Sequence, residues 1–376
     1  MDVTKLPFDT ENMLKGLKTW IECESPTYDA DAVNRMMDLV AYDLAGQASI
    51  ERIPGRMGFG GCLRARFPHP DLGKPGILIL GHLDTVHPIG TLKKLPFKLD
   101  GEHCYGPGIQ DMKGGNFVSI KAIRKLIEVG QKTHLPITVL FTPDEEVGTP
   151  STRELIEEEA MRNKYVLVPE PCHEDGGVVI GRYAIARFNL LTKGVPSHAG
   201  ANLKDGRSAI ALMASKIREV ESMTSDNCTF SVGVISGGKW VNCVSSECTA
   251  QVLSMAKRQE DLDKGIEDMM KLSSEESGVK FEVSRGVTRP VWEPDHPETM
   301  KIFNMAQDIA KELNFDLTGA SAGGGSDGNF TGYLGIPTLD GLGVRGKGLH
   351  TLNEHIEISS LVERARLIAG LLSRLN

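Results

Sequence analysis

Apolar positions along the chain follow two periods. Between Thr10 and Cys23, Met13, Leu14, Leu17, Trp20 and Ile21 recur at helical spacing behind Thr10 as a cap. After Ser25-Pro26-Thr27, the set Val33, Met36, Met37, Val40 and Leu44 does the same, so two amphipathic helices are predicted. Short strand candidates at 49–53 and 62–67 lead into the apolar run Gly76-Ile77-Leu78-Ile79-Leu80, which reads as a buried strand. Two more such runs, at 137–142 and 165–168, follow a helical stretch marked by Phe117, Ile120, Ile123 and Ile127. Helices alternating with buried strands predict an α/β domain built on a mainly parallel sheet.

The pattern changes near Gly181. Strands at 184–192, 229–235, 247–256 and 279–284 and helices at 207–223 and 261–273 follow the β-α-β-β-α-β order of a ferredoxin-like unit. This α+β segment, 181–286, reads as a second domain inserted into the first, which comprises 1–180 and 287–376. Its second part carries a helix at 298–313, a strand at 336–339, and a last helix with Leu361, Ile368, Leu371, Leu372 and Leu375. A length of 376 residues suits two cores.

Charge and cysteine usage narrow the function classes. With 42 basic against 50 acidic residues the net charge is −8, with no long run of like charge, which disfavours a nucleic-acid surface. No apolar run approaches the ~20 residues of a membrane-spanning helix, and the start lacks a signal-peptide pattern. The seven cysteines are scattered, without a Cys-x-x-Cys pair, as expected of free thiols in a reducing, cytoplasmic compartment. Cys104, Cys172 and Cys243 lie near motifs but show no repeated spacing, so they read as structural.

Candidate chemistry gathers where strands end. His82 and Asp84 follow the 76–80 run, two residues apart and so on one side of an extended chain, as a metal ligand and its backing carboxylate would be. Asp144-Glu145-Glu146 follows the 137–142 strand, and Glu170 follows the third. Adjacent acids repel unless a cation or proton compensates them, and ligands of open α/β sheets bind outside the carboxyl ends of strands. Asp111 lies in a glycine-bounded loop before a helix, where capping competes with a ligand role, and the loop lacks the rest of a phosphate-binding fingerprint. His350 lies in a second glycine-rich loop. Mixed imidazole and carboxylate donors favour zinc, with cobalt or manganese as substitutes. A pair of ions needs a bridging carboxylate, for which Asp111 is the natural choice, while Glu145 and Glu146 can divide the duties of ligand and base.

Five stretches carry a resemblance: Gly-His-Leu-Asp-Thr-Val at 81–86, Gly-Pro-Gly-Ile-Gln-Asp-Met-Lys-Gly-Gly at 106–115, Asp-Glu-Glu-Val-Gly at 144–148, Pro-Ser-His-Ala-Gly at 196–200 and His-Thr-Leu-Asn-Glu at 350–354. In this order they resemble the zinc-dependent exopeptidase and deacylase family of carboxypeptidase G, acetylornithine deacetylase and succinyl-diaminopimelate desuccinylase. The resemblance covers nearly the whole chain and is closest to the carboxypeptidase G branch. It implies a dizinc hydrolase of an N-acyl amino acid or short peptide. The alternatives are a biosynthetic N-acetyl or N-succinyl deacylase and a catalytically silent metal-binding protein. It further implies that His82 and Glu170 ligate one zinc, Glu146 and His350 the other, and Asp111 bridges. Asp84 would orient His82, and Glu145 would act as base. His198 would stabilise the oxyanion across a homodimer formed through the inserted lid domain, and Asn242 would bind substrate. One position departs from the pattern: Met255 stands where carboxypeptidase G relatives carry a carboxylate-gripping Arg, and Met cannot make a bidentate charged contact. Arg345 or Lys347 is the expected compensation.

Overall fold

The computed structural model describes residues 2–376 and divides into two compact units. The first comprises Met1–Gly181, Pro294–Ala322 and Ser326–Asn376; the second comprises Arg182–Glu293 with Gly323–Gly325. The chain returns to the first unit after Glu293, later than the expected 286, because the last strand runs through Gly286 to Arg289.

In the first unit a six-stranded sheet has the spatial order Ser49–Ile53, Cys62–Arg66, Ile137–Thr142, Gly76–His82, Asn163–Leu167, Thr338–Leu339. The four strands from Ile137–Thr142 onward pair in parallel, and the two at the other edge are antiparallel. Gly76–His82 and Ile137–Thr142 are buried along their whole length, as their unbroken apolar runs require. Alternation still sorts their side chains: Ile77 and Ile79 join the larger core, Leu78 and Leu80 the smaller one on the opposite face. Helices Thr10–Glu22, Ala30–Leu44, Gly114–Glu128, Pro297–Glu312 and Ser359–Arg374 supply residues to the larger core. The Asp9 carboxylate accepts from the N–H groups of Glu11 and Asn12, so Asp9, and not Thr10, caps the first helix.

Helix Arg153–Met161 and the short helix Gly328–Tyr333 cover the smaller core through Ile156, Ala160 and Phe330 and were not foreseen. A separate four-stranded sheet has the order Gly346–Lys347, His355–Glu357, His103–Tyr105, Lys98–Asp100. Its central pairing sets Tyr105 opposite His355, bringing the loops on either side of those strands together.

The second unit is an all-antiparallel sheet ordered Cys228–Gly237, Glu247–Ala256, Ala184–Lys193, Val279–Arg289, Ser274–Glu276. Its four long strands have the ferredoxin-like arrangement, with helices Ala209–Ser222 and Gln259–Lys271 closing a core around Phe188, Phe230 and Phe281. The small strand Ser274–Glu276 is an addition, made by a hairpin at Ser277 and Gly278, both in the left-handed region.

Candidate metal centre

The first unit brings its candidate residues to the carboxyl ends of its parallel strands. His82 is the last residue of its strand, opposite Thr142, the last of the neighbouring one. Glu145 and Glu146 enter the turn after Thr142, and Glu170 follows the strand that ends at Leu167. Asp111 comes from the loop that opens with Gly108, at φ +69°, and its peptide bond to Met112 is cis. The helix behind that loop can approach only because it begins with glycine: a Cβ on Gly115 would lie 1.9 Å from the Pro169 carbonyl oxygen.

Asp111 lies between two imidazoles. Its Oδ1 is 3.2 Å from His82 Nε2 and its Oδ2 is 3.1 Å from His350 Nε2. His82 Nε2 is also 3.6 Å from Glu170 Oε1 and 3.9 Å from Glu145 Oε2, while His350 Nε2 is 3.3 Å from Glu146 Oε2. Two ligands of a tetrahedral zinc, each bonded at about 2.0–2.2 Å, lie roughly 3.3–3.6 Å apart; the gaps to Glu170 and Glu146 match that spacing, and the two to Asp111 are hydrogen-bond distances slightly shorter than it. The buried Oε1 of Glu146 has no hydrogen-bond partner, leaving a lone pair that a cation would satisfy. The residues present therefore fit a metal group: ligand atoms of His82, Glu145 and Glu170 lie within 4.8 Å of one another, as do those of His82, Asp111 and Glu146, and His350 Nε2 adjoins Asp111 and Glu146.

Asp84 orients His82 in two ways. His82 Nδ1 donates to the Asp84 main-chain carbonyl at 2.9 Å, with the carboxylate Oδ1 further off at 3.4 Å, leaving Nε2 to face the acids. The Asp84 carboxylate accepts from Thr27 Oγ1 at 2.8 Å and from the N–H groups of Glu145 and Glu146, joining the His82 strand end to the acidic turn. Asn116 fixes the same strand end by donating to the His82 carbonyl at 2.6 Å.

Electrostatics mark the cluster as one that wants positive charge. Burial raises the carboxyls of Glu170 and Glu146, and the Asp111 charge adds to both. Burial would also raise Asp111, but the imidazoles of His350 and His82 outweigh it and hold it far below the usual carboxylate range. Burial opposes the charge on His82, yet Asp111, Asp84 and Glu170 keep that ring well above its ordinary value. Hydrogen bonds from His350 to Asp111 and Glu146 lift it to about 10.

The remaining candidates are placed as follows. His198, in the second unit, is exposed; its Nδ1 accepts from the N–H groups of Gly200 and Ala201, both at 3.1 Å, so Nε2 carries the proton and is the donor. Asn242 is exposed in the same unit, and its carbonyl accepts from the Ala199 N–H at 2.9 Å, tying it to the His198 loop. Met255 pairs with Ile185 across the sheet of that unit. Arg345 is engaged elsewhere in the first unit: its Nε donates to Glu357 Oε2 at 2.8 Å and its Nη1 to Glu363. Glu354 and His87 drew no reading from the sequence, although Glu354 closes the motif that contains His350. Both are buried, with His87 Nε2 2.7 Å from Glu354 Oε2.

Residues 78–374 match the family model of peptidase family M20/M25/M40. The chain belongs to this family. It is a metal-dependent hydrolase of the metallopeptidase and amidohydrolase class. Among curated relatives, carboxypeptidase G2 of Pseudomonas sp. (strain RS-16) is 31% identical over 309 residues, covering 80% of this chain and 74% of the relative. Succinyl-diaminopimelate desuccinylase of Nitrosospira multiformis is 27% identical over 317 residues, covering 78% and 81%. Solved folds agree: a tripeptidase from Staphylococcus aureus superposes with a TM-score of 0.80 at 22% identity, over 97% of this chain and 98% of that one. An M20 metallo-carboxypeptidase from Sulfolobus solfataricus does so with 0.77 at 14%, over 97% and 99%. No helix among the described residues of this M20 chain is long and apolar enough to cross a membrane.

Proposed function

We propose that this M20 chain is a co-catalytic dizinc hydrolase that cleaves the amide bond of an N-acyl amino acid or short peptide. The observation that carries the reading is Asp111, whose two oxygens face His82 and His350 at nearly equal distances, as a bridging carboxylate requires. Zinc held by His82, Asp111, Glu146, Glu170 and His350 would supply Lewis acidity toward the scissile carbonyl and a lowered pKa for water. The chain's own residues do the rest. Glu145 removes a proton from the attacking water as the water oxygen bonds to the carbonyl carbon, then delivers it to the nitrogen as the C–N bond breaks. The Nε2–H of His198 is suited to donate to the oxygen on which charge develops, its tautomer being set by the two N–H groups behind it.

In this reading His198 acts across a homodimer. Strand Cys228–Gly237 lies at the edge of its sheet and exposes Val234 and Ile235, a surface suited to pairing with a second copy. Asn242 contributes to substrate binding. The seven free thiols, four of them buried, suit the cytoplasm. Met255 and Arg345, which is paired with Glu357 and Glu363, leave no support for a substrate carboxylate gripped at either position, and the desuccinylase relatives favour a second reading, a biosynthetic deacylase that removes an N-succinyl group.

The test is elemental analysis of purified protein paired with hydrolysis of dipeptides, N-acyl glutamates, N-acetylornithine and N-succinyl-diaminopimelate before and after chelation. About two zinc per chain is expected. Turnover should be lost on chelation and restored by zinc, and the panel separates the two readings. Absence of metal together with metal-independent behaviour overturns both.

A further inference from the structure

We propose that Glu354, outside the candidate ligand set, is a positioning residue that holds three ligand-bearing segments in one arrangement. Its carboxylate is buried and fully used. Oε1 accepts from the N–H groups of Gln110 at 2.8 Å and Asp111 at 3.1 Å; Oε2 accepts from the Gly108 N–H at 2.8 Å and meets His87 Nε2 at 2.7 Å. An ionised carboxylate offers about four acceptor sites, so the four donors saturate it.

The donors are not ordinary loop contacts. Three are consecutive or near-consecutive main-chain groups of the turn that aims Asp111, which they cradle as a nest cradles an anion. The fourth, His87, stands five residues beyond His82, on the segment that leaves the central strand. Glu354 itself stands four residues beyond His350. Its main-chain carbonyl accepts from Gly106 N–H at 3.3 Å, and the next residue, His355, pairs with Tyr105 in the four-stranded sheet. One side chain thus joins the segments that carry His82, Asp111 and His350. Asp111 must present one oxygen to each side, so a small rotation of its turn misplaces both sides together.

Glu354→Gln nearly keeps the shape but turns one oxygen into a donor, which must then face an N–H of the turn. This inference rests on the dizinc reading, and its experiment separates the two. Zinc affinity is measured by competition with a chromophoric chelator, on variants shown by circular dichroism to be folded at the temperature used. Folded Glu354→Gln is expected to bind zinc about 10- to 100-fold more weakly, with kcat reduced more than KM is raised. A residue that merely filled its loop would leave the affinity of the folded protein unmoved, and that result overturns the proposal while sparing the dizinc reading. If the parent protein binds no zinc, both fall. Should Glu354→Gln not fold, His87→Leu decides: weaker zinc binding, recovered in His87→Gln, supports the proposal, and parental affinity in His87→Leu overturns it.

Discussion

Glu145 and Glu146 share a turn and the same supporting carboxylate, yet they face different partners. Glu146 Oε2 is 3.3 Å from His350, while Glu145 Oε2 is 3.9 Å from His82. A base must be close to the cluster without being needed to hold it, so the two glutamines should behave differently. Glu145→Gln is expected to retain metal and to lose about 10²–10⁴-fold in kcat; Glu146→Gln is expected to lose metal as well. Metal analysis beside steady-state kinetics checks both, and loss of metal from Glu145→Gln would reverse the assignment. A second residue-scale expectation concerns Asp175. The Thr318 hydroxyl, the Gly177 N–H and His173 hold its carboxyl at about 2. A depressed carboxyl adds stability that is present above its unfolded value near 3.8 and is lost as pH falls toward 2. Because the side chain is half exposed, the effect on stability is small, and the midpoint itself is the measurement. A carbon-detected NMR titration should find Asp175 still ionised at pH 3, and Thr318→Val should move its midpoint upward.

At the scale of elements, close approach competes with local propensity. Alanine is favoured over glycine within a helix by about 1 kcal/mol, which alone would make Gly115→Ala stabilising. The Cβ would lie 1.9 Å from the Pro169 oxygen, however, and that backbone leads directly to Glu170. Overpacking of this kind typically costs 1–3 kcal/mol, so Gly115→Ala should lower stability on urea unfolding; a rise would show that the helix start can shift freely. The long strands and amphipathic helices were legible because burial on one or both faces imposes a period on a short stretch of sequence. Arg153–Met161 was not, since Arg-Glu-Leu-Ile-Glu-Glu-Glu-Ala-Met offers few apolar positions from which to read a period. Gly328–Tyr333 is too short to show one.

For the whole molecule, the second unit is nearly continuous in sequence and has its own core, whereas the first is assembled from separate stretches. Residues 182–293 expressed alone are therefore expected to fold cooperatively, checked by denaturant unfolding followed by circular dichroism and tryptophan fluorescence. A non-cooperative transition would show that the unit depends on the rest of the chain. If the homodimer forms along strand Cys228–Gly237, replacing exposed Ile235 with Lys should yield monomers on sedimentation. It should also reduce turnover while leaving metal content unchanged, because His198 would then lack a partner to serve.

The sequence by itself determined which residues stand at strand ends, because a buried parallel strand is a local apolar run and the residue after it must meet solvent. His82, Glu145, Glu146 and Glu170 were visible for that reason, and the motif order was enough to indicate the family. Only the tertiary structure decided how those residues are held. The Glu354–His87 contact spans 267 positions, so the motif that Glu354 closes gives no sign of the partner it meets. Arg345 likewise read as an available cation, until folding set Glu357 and Glu363 against it. Local pattern reports whether a side chain is covered; which partner covers it depends on chain segments that meet only when the sheet and its loops have formed.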